Sequence, residues 1–152
     1  MTVIGPDPLK RQLRNLLESQ KVAVLSTHDR GQPYASLVAF AVAADLKTIF
    51  FATGRTTRKF HNMGRDERVA LLIDNRSNTE RDFHEATAAT AIGVSREVSS
   101  EEAVGARALY LEKHPYLEGF VTSETCALIE VSVRNYVVVN RFQSVFELRV
   151  DA

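Results

Sequence analysis

Phe50-Phe51-Ala52-Thr53-Gly54-Arg55-Thr56-Thr57-Arg58-Lys59-Phe60 runs an apolar strand pattern into hydroxyls and three cations, where a helical pattern begins. A helix start carries unpaired backbone N–H groups and the positive end of the helix dipole, so an anion there gains hydrogen bonds and field together. Threonine hydroxyls, arginine and lysine add charge-assisted bonds. Two readings fit these residues: a phosphate grip, or a helix N-terminus whose cations are simply solvated.

Working outward, residues 48–53 read as a strand and 56–63 as a helix with Gly64 as its stop. Upstream, 21–28 and 33–43 form two strands joined by Asp29-Arg30-Gly31-Gln32, where glycine supplies a positive φ, so a hairpin is predicted. Before them, Asp7-Pro8 caps a stripe of Leu9, Leu13, Leu16 and Leu17, which predicts a helix ending near Gln20.

Downstream, residues 68–74 form a continuous apolar run of strand length, followed by a polar loop over 75–80. Residues 86–98 resume strand character with Ala and Thr on both faces, which implies close approach by another sheet, a subunit or a ligand. Ser99 stands three residues before Glu102 as in a capping box, opening a helix through about Lys113 that His114-Pro115 ends. A long β-rich run over 125–140, with Arg134-Asn135 marking a bend or turn, precedes a last strand at 145–150. About six strands with three inserted helices, largely joined by tight turns, predict an antiparallel barrel or sandwich with peripheral helices.

The 152 residues suit one domain spanning 1–152, with 45% hydrophobic and 25% charged content typical of a globular protein. No apolar run approaches the ~20 residues needed to span a bilayer, and the short polar start lacks a secretory pattern, so no membrane association and a cytoplasmic location are expected. Nineteen Lys+Arg balance nineteen Asp+Glu, which disfavours nonspecific nucleic-acid binding and makes each basic cluster a local feature. The single cysteine, Cys126, lies in an apolar run and reads as a buried small hydrophobe.

His28, His61, His84 and His114 occur singly, without zinc-site spacing, so no metal site is predicted. His28 and His114 sit at element ends. His61 and His84 are placed to line a pocket, with a surface role the simpler reading. There is no Gly-x-Ser-x-Gly, Walker or Rossmann glycine pattern, and no catalytic side chain is identified. A phosphate grip without a nucleophile leaves the chemistry to a cofactor.

Gly31-Gln32-Pro33-Tyr34, the following apolar strand, Thr53 with Arg58-Lys59 five and six positions on, and Arg68-Val69-Ala70-Leu71-Leu72 fall in an order that resembles the pyridoxamine 5'-phosphate oxidase-like family. That family's pattern reads roughly GxPxxxxV, FxTxxxxRK, DPRVxLxI. The resemblance is good over residues 22–92 and continues weakly through 101–113. It implies a mainly β fold, an antiparallel six-stranded split β-barrel with peripheral α-helices, forming a homodimer with FMN in a groove between subunits. Arg58 and Lys59 match the family's phosphate-binding pair, with Thr53 and Thr57 as hydroxyl partners. Arg55 is a third candidate cation on charge and position. Ser36, Leu37, Val38 and Ala39 match the strand whose backbone lies along the flavin ring, where small Ala39 and Ala41 leave room.

The chain also departs from the family. Ala41 stands where the true oxidases carry a basic residue, Ala88 where they carry glutamine, and the chain ends without their Arg-x-His segment. The expected function is therefore FMN-dependent hydride or electron transfer at flavin N5 with a small substrate other than the vitamin phosphate. The alternatives are an F420-dependent reductase and a flavin- or haem-binding protein without turnover. In the haem case His61 or His84 would be the axial ligand.

Overall fold

Strands β1 (Val22–Asp29) and β2 (Gln32–Val42) are joined through Arg30 and Gly31, whose φ angles are 51° and 87°. Two successive positive φ values give the hairpin turn whose twist matches that of the strands. This is the turn predicted from Gly31. A computed structural model describes residues 6–141 and 144–150. The further strands are β3 (Thr48–Gly54), β4 (Arg68–Asp74), β5 (Thr87–Glu97), β6 (Cys126–Asn140) and β7 (Ser144–Arg149).

All pairings are antiparallel, in the order β3-β2-β1-β4-β5-β6-β7, and an additional β3–β6 ladder closes six of the strands into a barrel. Strand β7 stands outside that ring and pairs with the far half of β6, from Asn135 to Asn140. The predicted six-stranded barrel is thus the fold.

Strand β6 serves two partners by changing face midway. Ala127, Ile129, Val131 and Val133 point inward, whereas beyond Arg134 the inward residues are Tyr136 and Val138. A strand alternates faces with period two, so this switch requires one extra residue. The register supplies it: Gly93 lies opposite Val133 while Ile92 lies opposite Asn135, leaving Arg134 as the bulge. Arg134-Asn135 was expected to mark a bend or turn; the strand instead runs on continuously through a bulge. A Cβ on Gly93 would lie 2.2 Å from the Ser132 carbonyl oxygen, so the small-residue pattern of β5 reflects, at this position, close approach by its neighbour within the same sheet.

Helix α1 (Pro6–Ser19) buries Leu9, Leu13, Leu16 and Leu17 in the barrel core. It bonds to Asn140 through Gln12 and to the Ala44 carbonyl through Arg14, so it covers the barrel end where β6 and β2 finish. Helix α2 (Arg58–Arg65) covers the opposite end, burying Met63 and bonding Asn62 to Thr27 near the end of β1. Gly64, expected as the stop, lies inside α2. The helix ends at Asp66, which takes an extended conformation and whose carboxylate accepts the Arg68 N–H.

Two short helices were not predicted: α3 (Asp82–Glu85) and, after α4 (Ala103–Lys113), α5 (Glu118–Val121). Helices α4 and α5 pack on the outside of the barrel over Ala41, Ala52, Cys126 and Leu128, forming a second apolar cluster with Tyr110 and Val121. Half of the predicted capping box forms. Ser99 Oγ accepts the Glu102 N–H, but the Glu102 carboxylate turns to Arg96 instead of returning to Ser99.

Gly93→Ala forces a methyl into the β6 backbone, and the expected destabilisation is about 2–4 kcal/mol, seen as a lower urea midpoint. An unchanged midpoint would contradict the bulge geometry.

Candidate functional site

Strand β2 pairs with β1 over its first eight residues, but with β3 only through Phe40, Ala41 and Val42. Strand β3 commits instead to β6 over its whole length, from Thr48 to Gly54. Beyond the Phe40–Phe51 pair the two strands therefore part, and a fork opens toward the α2 end of the barrel.

The Phe40 N–H donates to the Lys21 carbonyl on the β1 side. Successive residues of a strand turn their backbone groups to opposite edges, so Ala35, Leu37 and Ala39 present theirs toward the edge that β3 has left. Pro33 belongs to the same set, and its missing N–H suits an unpaired edge. Ser36 and Val38 direct their backbone to β1 and their side chains into the barrel. The Ser36 hydroxyl oxygen is shielded from solvent and has no hydrogen-bond partner among the described residues.

The other arm of the fork leads into α2. Thr57 is the helix cap: its Oγ1 accepts the Phe60 N–H at 3.3 Å and donates to the Gly54 carbonyl at 2.9 Å. Thr53 Oγ1, buried, lies 2.9 Å from Thr57 Oγ1. These two hydroxyls pin the strand-to-helix corner, a role that spacing alone did not distinguish from direct ligand contact. The N–H groups of Arg58 and Lys59 fall in the first turn, where no helical carbonyl precedes them.

The three cations are held differently. Arg55 forms a bidentate pair with Glu97 at 2.7 and 2.9 Å, and its Nε donates to the Glu124 carbonyl. This bond holds the Glu97 carboxyl below its ordinary pKa. Arg55 is thus already occupied by a carboxylate from the end of β5. Arg58 is exposed, with its guanidinium 5.1 Å from the centre of the Tyr34 ring at the start of β2. Lys59 is half-buried and has neither an ion-pair nor a hydrogen-bond partner among the described residues. The structure therefore brings Thr53, Thr57, Arg58 and Lys59 to one corner, places the Leu37 edge on the facing arm, and pairs Arg55 with Glu97, its guanidinium 5.9 Å from the centre of the Phe60 ring of α2.

Three residues absent from the predicted set contribute to this region. Tyr34 bridges the fork through Arg58, Glu97 fixes Arg55, and Tyr110 of α4 donates its hydroxyl to the Ala39 carbonyl at 3.1 Å. Tyr34 lies inside the recognised turn motif; the other two are distant in sequence and carry no local signal.

The histidines do not converge. His61 is exposed on α2, whereas His84 lies at the α1 end of the barrel, beside a cavity of about 560 Å³ that Gln12, Asn140 and Arg141 also line. His28 bonds to Asp66, and His114 is fully buried. Among the described residues no group of three or more His, Cys, Asp or Glu side chains is arranged to hold a metal ion, and no helix is long and apolar enough to cross a membrane.

A closed six-stranded antiparallel ring that forks between two neighbouring strands is a split β-barrel. Residues 9–134 match the pyridoxamine 5'-phosphate oxidase family, and the chain belongs to that family. No curated protein matches it.

The fold is similar to that of a heme binding protein from Mycobacterium smegmatis, at 18% identity and TM-score 0.85 over 98% of this chain and 60% of that one. It is similar to a protein of unknown function from Agrobacterium tumefaciens str. C58, at 21% identity and TM-score 0.78 over 91% of this chain and 61% of that one. A FAD-binding protein from Mesorhizobium loti aligns at 11% identity and TM-score 0.68, over 85% of this chain and 90% of that one. Identities this low establish the fold alone. The chain spans about 60% of the length of the first two of these proteins.

Proposed function

We propose that this chain binds FMN in the fork between β2 and β3 and acts as an FMN-dependent oxidoreductase on a small substrate. The observation that carries the reading is a coincidence of place. Strand β2 turns backbone groups that no strand pairs to the fork at the same barrel end where Arg58 and Lys59 stand without carboxylate partners among the described residues. Arg58, Lys59 and the first-turn N–H groups of α2 would hold the phosphate. Thr53 and Thr57 shape that corner, and Arg55, bound to Glu97, supports it. The edge of Leu37 and Ala39 would face the polar rim of the ring, with the shielded Ser36 hydroxyl beside it as an unspent polar atom. When bound, FMN supplies hydride or electron exchange, and the protein supplies position.

Neighbours whose names record haem and FAD binding make the occupant a matter for direct test. The visible spectrum after adding each cofactor separates the readings: two flavin bands for FMN, one violet band for F420, an intense Soret band for haem. FMN and FAD are then distinguished by affinity. Bleaching of the bound flavin by NADH or NADPH separates a turning-over enzyme from a flavin carrier.

The dimer belongs to the same proposal. On the outer face of the barrel, Leu37 lies opposite Val24, which lies opposite Leu72, and in the next row Ala35, Ser26, Ala70 and Ile92 follow across four strands. Leu37 is 69% exposed and Ile92 40%. A largely apolar stripe of this kind, broken by Ser26, is the mark of an interface, and it ends at the edge that faces the fork. A second copy seated on the stripe would close the groove.

Arg58→Ala with Lys59→Ala is expected to weaken FMN binding by on the order of 100-fold, since two charge-assisted bonds contribute at least about 1.5 kcal/mol each. Retention of FMN at parental affinity would refute the phosphate assignment. In light scattering the parent is expected at twice the 17.0 kDa chain mass, and Leu72→Lys with Ile92→Lys at one chain mass with weakened FMN binding. A monomeric parent at micromolar concentration would remove the dimer from the proposal.

A further inference from the structure

Helix α4 lies outside the candidate site, yet two of its side chains grip β2 at the root of the fork. The Tyr110 hydroxyl donates to the Ala39 carbonyl at 3.1 Å, and His114 Nε2 lies 2.7 Å from the Phe40 carbonyl. Successive carbonyls of a strand point to opposite edges. The helix therefore holds β2 from both sides at once, on the two residues that flank the point where β2 and β3 part.

The clamp is rigid. Tyr110 and His114 sit one helical turn apart, with ring centroids separated by 5.1 Å and side chains 1% and 0% exposed. Tyr116 lies against the second ring nitrogen of His114, and Lys113 Nζ donates to the Leu17 carbonyl, fastening this end of α4 to α1. Burial raises the Tyr110 pKa to about 12 and depresses that of His114, so near pH 7 the phenol keeps its proton and the imidazole stays neutral, with the proton on Nε2 facing Phe40 O.

We propose that Tyr110 and His114 are positioning residues that fix the strand segment from Leu37 to Ala39 against the cofactor. Neither touches the cofactor in this account; they act through the backbone they hold. The proposal rests on the FMN reading for its functional half. Its mechanical half, restraint of the free edge, stands alone. Leu37 lies two residues beyond the clamp, about 6.6 Å along the strand. Loosening the root therefore shifts the groups that face the fork.

The test uses Tyr110→Phe, His114→Leu and His114→Gln, the last of which keeps an N–H near the Nε2 position. In the free protein, amide exchange of the peptide spanning 33–40 is expected to rise ~10-fold in Tyr110→Phe and His114→Leu and to return toward the parent in His114→Gln. In the FMN complex the first two variants are expected to weaken binding ~5- to 20-fold and to shift the long-wavelength flavin band, with His114→Gln within about twofold of the parent. Unchanged exchange at 33–40 overturns the proposal. So does a lowered melting temperature with parental FMN affinity and spectrum, because the two side chains would then be merely structural. If the parent takes up no FMN, the functional reading fails, and the exchange experiment still decides whether the clamp exists.

Discussion

The organisation of this molecule depends on the pairing of β3 with β6. Seven consecutive residues of β3 pair with β6 and only three with β2, so the ring closes at the cost of leaving the first part of β2 without a neighbour on one edge. Strand β6 can close the ring while also carrying β7 because the Arg134 bulge reverses its inward face halfway, and that bulge is accommodated by the absence of a side chain at Gly93. An unpaired strand edge inside a closed barrel is otherwise a liability, since its N–H and C=O groups lack partners. Here it lies at the same end of the barrel as the helix start that carries Arg58 and Lys59.

Much of this was legible where the signal is local. Gly31 dictates a turn needing positive φ, the leucine spacing of residues 9–17 dictates an amphipathic helix, and the run from Phe50 to Phe60 announces a strand-to-helix corner with hydroxyls and cations. What could not be read depends on residues brought together by topology. Arg55 and Glu97 are 42 positions apart, and Tyr110 reaches a carbonyl 71 positions away. An arginine in a basic cluster reads as free until its carboxylate partner is placed beside it. Arg134-Asn135 reads as a bend or turn in sequence because the cause of the bulge lies in the facing strand, and Gly64 reads as a stop although Asp66 sets the helix end. In both cases a local residue preference was overruled by a neighbour.

The chain's departures from the vitamin-phosphate oxidases acquire a physical meaning in this frame. Ala41 packs in the apolar cluster under α4, a buried position, and Ala88 begins the β5 ladder. Both positions, where the vitamin-phosphate oxidases carry a basic residue and a glutamine, hold small apolar side chains here. With Arg55 neutralised by Glu97, the free positive charge of the quoted stretch shrinks to Arg58 and Lys59. A pair of adjacent cations suits a compact phosphomonoester, such as that of the proposed FMN, better than a long anionic tail.

The most direct measurement is a crystal structure of the protein with FMN bound. It should place the phosphate oxygens within hydrogen-bond distance of Arg58 and Lys59, with the flavin ring along the backbone of Leu37 and Ala39. A phosphate located elsewhere, such as the cavity beside His84 and Arg141, with Arg58 and Lys59 left in solvent, would contradict the account.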